Sequence, residues 1–354
     1  MSKFFASKYK ELEAYTPGEQ PRDMKYIKLN TNESPYPPSK ETIDAVKSEN
    51  ALMLNLYPDP TCAELKKVLG ERFSVNAENV FVSNGSDDIL NFAFMAFGEN
   101  GVVFPDISYG FYEVFSELHN LPYKKIPLGD NLEIRAEDYK NAGAMIAIAN
   151  PNAPTGLLLT LDEIREILTT NPDNIVLIDE AYIDFGGKSS ASLLSEFENL
   201  LVVQTFSKSR SLAGARLGFA LAGSEIIADL EKIKYSTNPY SINRLTLAAG
   251  IAAVESDKYY MDNAGEIIKT REYTKNELLK LGFSVTDSYA NFLFAKKEGI
   301  DGKIFYEELR KRGVLVRHFD KERIKDYNRI TIGNPKEMGT FIEVTKTILQ
   351  EASK

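Results

Sequence analysis

The sequence predicts an α/β protein with a large α/β/α domain on a mostly parallel sheet and a smaller α+β domain. Two observations carry this. Between residues 80 and 222 short apolar runs alternate with amphipathic helical stretches, the rhythm of strand–helix–strand units that lay parallel strands side by side. After Gly223 the rhythm changes to long helices separated by short strands. Length permits both cores: 354 residues, 43% hydrophobic and 26% charged, fit one large domain and one smaller. The expected division is an N-terminal arm over 1–34 that contributes to the small domain, a large domain over 35–245 and a small domain over 246–354.

Composition narrows the function. A net charge of −9 argues against a non-specific nucleic-acid binder. The single cysteine, Cys62, leaves no intramolecular disulfide and no cysteine zinc site, which fits a reducing compartment. His119 and His318 are the only histidines and read as satisfied polar residues, so no metal is expected. Met1–Lys10 lacks the apolar run of a secretory signal, and no stretch approaches the roughly 20 apolar residues of a membrane helix. The expected location is the cytoplasm, with no membrane partner.

The arm begins with an expected short helix around Phe4–Leu12 and turns at Tyr15-Thr-Pro-Gly18. Prolines exclude a regular helix from Leu29-Asn-Thr-Asn-Glu-Ser-Pro-Tyr-Pro-Pro38, whose Asn30, Asn32 and Glu33 suit either a linker or a substrate-lining loop. Tyr57-Pro-Asp-Pro60 is a second rigid, extended segment. Val80-Phe-Val-Ser-Asn-Gly-Ser-Asp-Asp88 reads as a strand that ends at Gly85 and opens a helix over Ser86–Phe97. A helix start behind a glycine turn presents free backbone N–H groups to an anion, although Ser86, Asp87 and Asp88 equally suit plain capping. Gly101–Phe104 reads as a strand, and Tyr109 lies in the loop beyond it, where ligands of open α/β sheets sit.

Ala144–Ala149 is an expected strand, followed by the breaker-dense Asn150-Pro-Asn-Ala-Pro-Thr-Gly156 and a helix over Leu161–Leu168. The strand Ile175–Ile178 runs into Asp179-Glu-Ala-Tyr182. An aspartate at the carboxyl end of an apolar strand lies beside the sheet's ligand crevice, and a buried carboxylate there needs a cationic partner. Leu200–Val203 then leads into a loop of small hydroxyl residues with Lys208 in its middle and Arg216 beyond, before Leu217–Ala222 turns apolar. A lone lysine in a polar loop is ordinarily a solvated charge. Thr205, Ser207 and Arg216 can hold a dianionic phosphate, however, and an amine beside a phosphate cradle suits a Schiff-base lysine. Pyridoxal phosphate joins an aldehyde to a phosphate, and its ring nitrogen would give Asp179 a partner. Neither G-x-G-x-x-G nor G-x-x-x-x-G-K-[ST] stands at a strand–helix junction, which weakens the case for dinucleotide and P-loop folds.

The tail reads as helices over Ser224–Lys234, Ser241–Val254 and Asp257–Leu281, a strand Asn291–Ala295, and a helix Lys303–Arg312. Strands Val314–Val316 and Arg329–Ile332 follow, then a last helix opened by Asn334-Pro335. Arg317 and Arg329, at strand ends, suit either surface ion pairs or a bidentate grip on a substrate anion.

Taken together, the chain resembles the fold-type I pyridoxal-phosphate aminotransferases, and within them the histidinol-phosphate aminotransferases. The ordered motifs are Leu29-Asn-Thr-Asn-Glu-Ser-Pro-Tyr-Pro, Tyr57-Pro-Asp-Pro, Asn84-Gly-Ser-Asp, Pro151-Asn-Ala-Pro-Thr-Gly, Asp179-Glu-Ala-Tyr-Ile-Asp-Phe, Thr205-Phe-Ser-Lys and Leu212-Ala-Gly-Ala-Arg-Leu-Gly-Phe. The resemblance implies that Lys208 binds the cofactor aldehyde and later moves the substrate proton. It implies that Asp179 pairs with the ring nitrogen, that Tyr182 meets the ring hydroxyl O3′ and that Tyr109 stacks on the ring. Gly85, Ser86, Asp87, Thr205, Ser207 and Arg216 would surround the phosphate. Tyr57 would reach the cofactor phosphate of a partner subunit, which makes the active unit a homodimer. Tyr15, Asn32, Arg317 and Arg329 match positions lining the substrate pocket. The implied reaction converts histidinol phosphate and 2-oxoglutarate to imidazole-acetol phosphate and glutamate, a step of histidine biosynthesis.

One departure stands out. The family's second O3′ partner, an asparagine directly before Pro-Thr-Gly, is Ala153 here, which leaves Asn152 as the candidate. Rival activities are an aromatic amino acid aminotransferase and a phosphothreonine decarboxylase on the same fold. A regulator with a DNA-binding module ahead of the fold is disfavoured, since residues 1–34 are not strongly basic.

Overall fold

The computed structural model describes residues 5–10, 12–47 and 49–352. Its first strand, β1 (Ile27–Lys28), belongs to the arm. The main sheet follows: β2 (Val80–Ser83), β3 (Val102–Pro105), β4 (Tyr123–Ile126), β5 (Met145–Ala149), β6 (Val176–Asp179), β7 (Leu200–Thr205) and β8 (Gly218–Ala222). The strand order is β2-β8-β7-β6-β5-β3-β4. β8 alone runs against the direction of the other six strands, since it returns from β7 through a loop without a crossover helix.

Side chains alternate across this sheet. Ile146, Ile148, Val176, Ile178, Leu200 and Val202 enter one core, while Ala147, Leu177, Leu201 and Val203 enter the other. Burial on both faces is why the strands read as unbroken apolar runs rather than as alternating patterns. Helices α1 (Lys40–Lys47), α2 (Ala63–Phe73), α3 (Ser86–Phe97), α4 (Phe111–Leu118), α5 (Leu161–Thr170), α6 (Ser224–Thr237) and α7 (Arg244–Glu255) surround the sheet. α3, α4 and α6 supply Leu90, Tyr112 and Leu230 to one core; α2, α5 and α7 supply Leu65, Ile167 and Ala253 to the other.

The second body contains β9 (Ser284–Val285), β10 (Phe292–Lys296), β11 (Val314–Leu315), β12 (Arg317–His318) and β13 (Asn328–Thr331). β12-β13-β10-β9 form an antiparallel sheet, and β11 pairs in parallel with β1, which ties the arm to this body. α8 (Asp257–Lys280), α9 (Gly302–Lys311) and α10 (Pro335–Ala352) cover it with Ile267, Leu309 and Phe341. α8 bridges the bodies: Tyr260 lies in the main core, and Leu278 in the second. The boundary expected at 245/246 falls inside α7, whose Ala249 and Ala253 pack in the main core.

Other departures from the sequence reading have local causes. In place of the helix expected around Phe4–Leu12 there is a single 3-10 turn at Ser7–Tyr9; Phe4 and Glu11 lie outside the described residues. Helices α1, α2 and α4 and strand β4 have no counterpart among the elements expected from sequence. β4 is a sheet edge with an exposed Tyr123-Lys-Lys run, so it carries no apolar signature. No helix among the described residues is long and apolar enough to cross a membrane.

The pairings Ser83–Gly218 and Thr205–Gly218 bring the ends of β2 and β7 to the start of β8. The parallel strands β3, β5 and β6 end along the same edge. The loops after residues 83, 105, 149, 179 and 205 therefore open together, at the ligand edge of an open α/β sheet.

Candidate active site

A cavity of about 290 Å³ lies at this edge, between the strand ends and the arm. Asp179 and Tyr109 line it, with Lys208, Tyr182 and Arg216. Asp179 closes β6 and is 5% exposed. Tyr112 donates its hydroxyl to Oδ2 at 3.0 Å, and the Ala181 N–H donates to Oδ1 at 3.2 Å. Burial pushes the carboxyl up to about 7, against the pull of those two donors. Among the described residues no lysine, arginine or histidine forms an ion pair with it, and its hydrogen-bond partners are the neutral Tyr112 hydroxyl and Ala181 N–H. A pyridinium N–H would supply the cation expected there.

Lys208 follows β7 in a tight turn, and its Nζ donates to the Thr31 carbonyl at 3.2 Å. The same Nζ lies 5.6 Å from the centre of the Tyr182 ring. The amine thus has one neutral acceptor from the arm and faces the cavity that also holds Asp179.

The anion cradle depends on close backbone approach. Gly85 has φ +87°, and a Cβ there would stand 2.7 Å from Arg216 Nη2. A Cβ on Gly218 would stand 2.5 Å from Gly85 C and Ser86 N, so this junction of β8 and α3 admits only glycine. No side chain caps the N-terminus of α3, which leaves the Ser86 and Asp87 backbone directed at the cavity. Thr205 Oγ1 accepts the Ser207 N–H at 3.1 Å and donates to Ser207 Oγ at 3.0 Å, fixing both hydroxyls beside Arg216. Helix N–H groups, two hydroxyls and a guanidinium fit a phosphate dianion. The Asp87 carboxylate instead accepts Arg216 Nη2 at 3.0 Å and the Tyr109 hydroxyl at 2.7 Å, which orients both side chains. Burial and then Asp87 raise the Tyr109 phenol, which keeps it a neutral ring at the cavity wall.

Asn152 is not at the wall. Its Nδ2 donates to the Ile107 carbonyl at 3.0 Å and to Thr155 Oγ1 at 3.1 Å, and its Oδ1 accepts from Ser108 Oγ at 2.8 Å. The amide is spent on holding two loops together, and the residue that lines the cavity is Ala153. Tyr57 does not line the cavity of its own chain either; it is 78% exposed and stacks on Tyr240 at 4.5 Å.

On the far side Tyr15 stacks on Phe111 at 4.2 Å and lies 6.3 Å from Tyr109. Burial raises its phenol, while Arg317 and Arg329 pull it back. Those arginines are direct cross-strand neighbours on β12 and β13. Arg317 donates to the Thr16 and Pro17 carbonyls at 3.2 and 3.4 Å. Arg329 donates to the Asn30 carbonyl at 3.1 Å, and its Nε is sealed from solvent without a hydrogen-bond partner among the described residues. Asn32 points at Tyr182, donating from Nδ2 to Oη at 2.9 Å. Sequence reasoning missed Tyr112 altogether, with its grip on Asp179, and gave Asn32 no contact with Tyr182. Tyr112 stands three residues beyond Tyr109, but its partner is 67 residues away and nothing local marks the pair.

A sheet of this order, with Lys208 and Asp179 lining one cavity at its ligand edge, is the architecture of the fold-type I aminotransferases. Comparison with known proteins narrows the class. A family model described as "Aminotransferase class I and II" matches residues 24–344. The chain is 52% identical over 353 residues to the histidinol-phosphate aminotransferase of Brachyspira hyodysenteriae, covering 99% of this chain and 100% of that protein. Its counterpart from Clostridium beijerinckii is 47% identical, covering 100% and 99%. The crystal structure of the histidinol-phosphate aminotransferase from Clostridium acetobutylicum matches the fold with a TM-score of 0.85 at 24% identity, over 92% of this chain and 99% of that one. The chain belongs to the class I and II aminotransferase family, whose cofactor is pyridoxal 5′-phosphate.

Proposed function

We propose that the protein is a histidinol-phosphate aminotransferase, exchanging the amino group of histidinol phosphate with 2-oxoglutarate. The observation that carries the reading is a second cationic position. Arg216 stands in one anion cradle, and the neighbouring Arg317 and Arg329 with Tyr15 form another, which suits a substrate with a phosphate of its own. Identity of about half to relatives of that name supports it.

When bound, the cofactor supplies an electron sink for the carbanion at the substrate Cα. The chain's own residues do the rest. Asp179 would hold the ring nitrogen protonated, and burial among apolar neighbours makes that ion pair strong. Tyr182 would donate to the ring hydroxyl, and Tyr109 would cover the ring face. Ser86, Asp87, Thr205, Ser207 and Arg216 would hold the cofactor phosphate. Lys208 would hold the aldehyde carbon in the resting enzyme and, once displaced, act as the base that moves the Cα proton.

The active unit under this reading is a cytoplasmic homodimer without nucleic-acid or membrane partners. Tyr57 stays exposed beside Leu52, Leu54 and Leu56, at 82%, 58% and 56% exposure, an apolar run suited to a subunit contact from which Tyr57 reaches the other phosphate cradle.

Single-turnover spectra with histidinol phosphate and with phenylalanine test the substrate. Faster conversion of the bound cofactor by histidinol phosphate, by on the order of 100-fold, is expected. Equal or better conversion by phenylalanine would make the protein an aromatic aminotransferase. Release of carbon dioxide from phosphothreonine would make it a decarboxylase.

A further inference from the structure

The wall of the cavity beside Tyr182 carries a methyl group, Ala153, where an amide would give a second donor, and the Asn152 amide is spent elsewhere. Asn32 is organised in the opposite way. It is 1% exposed and left-handed, with φ 57°, a conformation asparagine tolerates better than most residues. Its backbone N–H donates to Thr331 Oγ1 at 3.0 Å, and its carbonyl accepts from Asn291 Nδ2 at 2.9 Å. Thr331 Oγ1 in turn donates to Asn32 Oδ1 at 2.8 Å, which fixes the amide orientation and leaves Nδ2 facing Tyr182 Oη at 2.9 Å.

A phenol has one proton. While Oη accepts from Asn32, that proton is free to point elsewhere, and Tyr182 lines the cavity. Asn32 is the one hydrogen-bond partner of Oη among the described residues. The other groups facing Tyr182 are the Lys208 amine over its ring and the ring of Phe292, with Arg329, Tyr15 and Tyr112 close enough to interact electrostatically.

We infer that Asn32 is a positioning residue: it donates its amide proton to Tyr182 Oη and thereby turns the phenol proton toward the ring oxygen of the cofactor. Asn32 thus supplies from the arm the orientation that position 153 does not. The inference rests on the proposed contact of Tyr182 with that oxygen.

The test reads the pH midpoint of the bound cofactor's visible absorbance in purified holoenzyme without substrate. A donor to the ring oxygen competes with the protonated lysine nitrogen for the same negative charge, so its loss moves the midpoint upward. Tyr182→Phe is expected to raise it by about one pH unit, the size of a single hydrogen bond. Asn32→Gly, which tolerates the left-handed backbone, is expected to raise it by a large part of that amount, and to add nothing in a Tyr182→Phe background. Should the glycine variant not fold, Asn32→Asp keeps the Thr331 contact, reverses the Tyr182 hydrogen bond and is expected to match or exceed Tyr182→Phe. A wild-type midpoint in the Asn32 variants beside a moved one in Tyr182→Phe overturns the inference and leaves the Tyr182 contact standing. So do additive shifts in the Asn32→Gly, Tyr182→Phe double variant. An unmoved midpoint in Tyr182→Phe overturns the Tyr182 contact and the inference with it.

Discussion

Asp179 and Arg329 are both charges carried by strands, one at the floor of the cavity and one on its far side, and the chain builds their surroundings differently. Asp179 ends a parallel strand and is held by Tyr112 and the Ala181 N–H. Arg329 lies in an antiparallel strand beside Arg317 and donates to Asn30, 299 residues away. Burial disfavours both charges, raising the carboxyl to about 7 and lowering the guanidinium from its ordinary value. On the floor, successive strand ends bring functional residues to one edge, so every loop is aimed by the sheet. On the far side the arm and the second body must meet, and Arg317 contacts arm carbonyls 300 and 301 residues earlier. The floor is a property of the sheet; the far side is a property of assembly.

Substitutions should separate the two. The largest effect is expected from Asp179→Ala, which should lower kcat on the order of 1,000-fold at unchanged far-ultraviolet circular dichroism. A loss below tenfold would remove Asp179 from the chemistry. Arg329→Ala should act on binding, raising KM for histidinol phosphate on the order of 100-fold with cofactor absorbance unchanged. Equal weakening for a phosphate-free amine would reassign Arg329 to the carboxylate of the second substrate.

The floor should also mark the stability of the cofactor-free protein. Because the Asp179 pKa is raised from 3.8 to about 7, the folded state keeps a proton there that the unfolded chain loses. Stability contributed at this site is therefore present below pH 4 and lost as pH rises through 7. Urea titrations should show Asp179→Asn gaining on wild type across that window; parallel curves would contradict the shift. The smallest effect is expected from Tyr112→Phe, about 1 kcal/mol of lost stability, appearing where Asp179 is ionised and vanishing where it is protonated. A loss independent of pH would make Tyr112 a packing residue only.

This contrast also explains what could be read in the sequence. Asp179 ends an apolar run, and Lys208 and Arg216 sit in a polar loop between two such runs, so local pattern and position coincide. Tyr112 escapes because it sits on helix α4 while its partner ends β6, 67 residues further on. Asn32 was visible as a pocket residue, but its target Tyr182 and its anchor Thr331 lie 150 and 299 residues away. The turn at Asn150–Gly156 shows the limit of spacing: a one-residue offset places Ala153 on the cavity and turns Asn152 into the scaffold. In the fold, two-sided burial announced the central strands, while the edge strand β4 and the reversal at β8 depend on neighbours that no local pattern reveals.

The central claim is that Lys208 carries the cofactor. Borohydride reduction of the yellow protein followed by peptide mass analysis tests it most directly. The account predicts one phosphopyridoxyl adduct per chain, on the peptide containing Lys208, and none in Lys208→Ala. A colourless protein reconstituted with pyridoxal phosphate, or an adduct confined to another lysine, would contradict it.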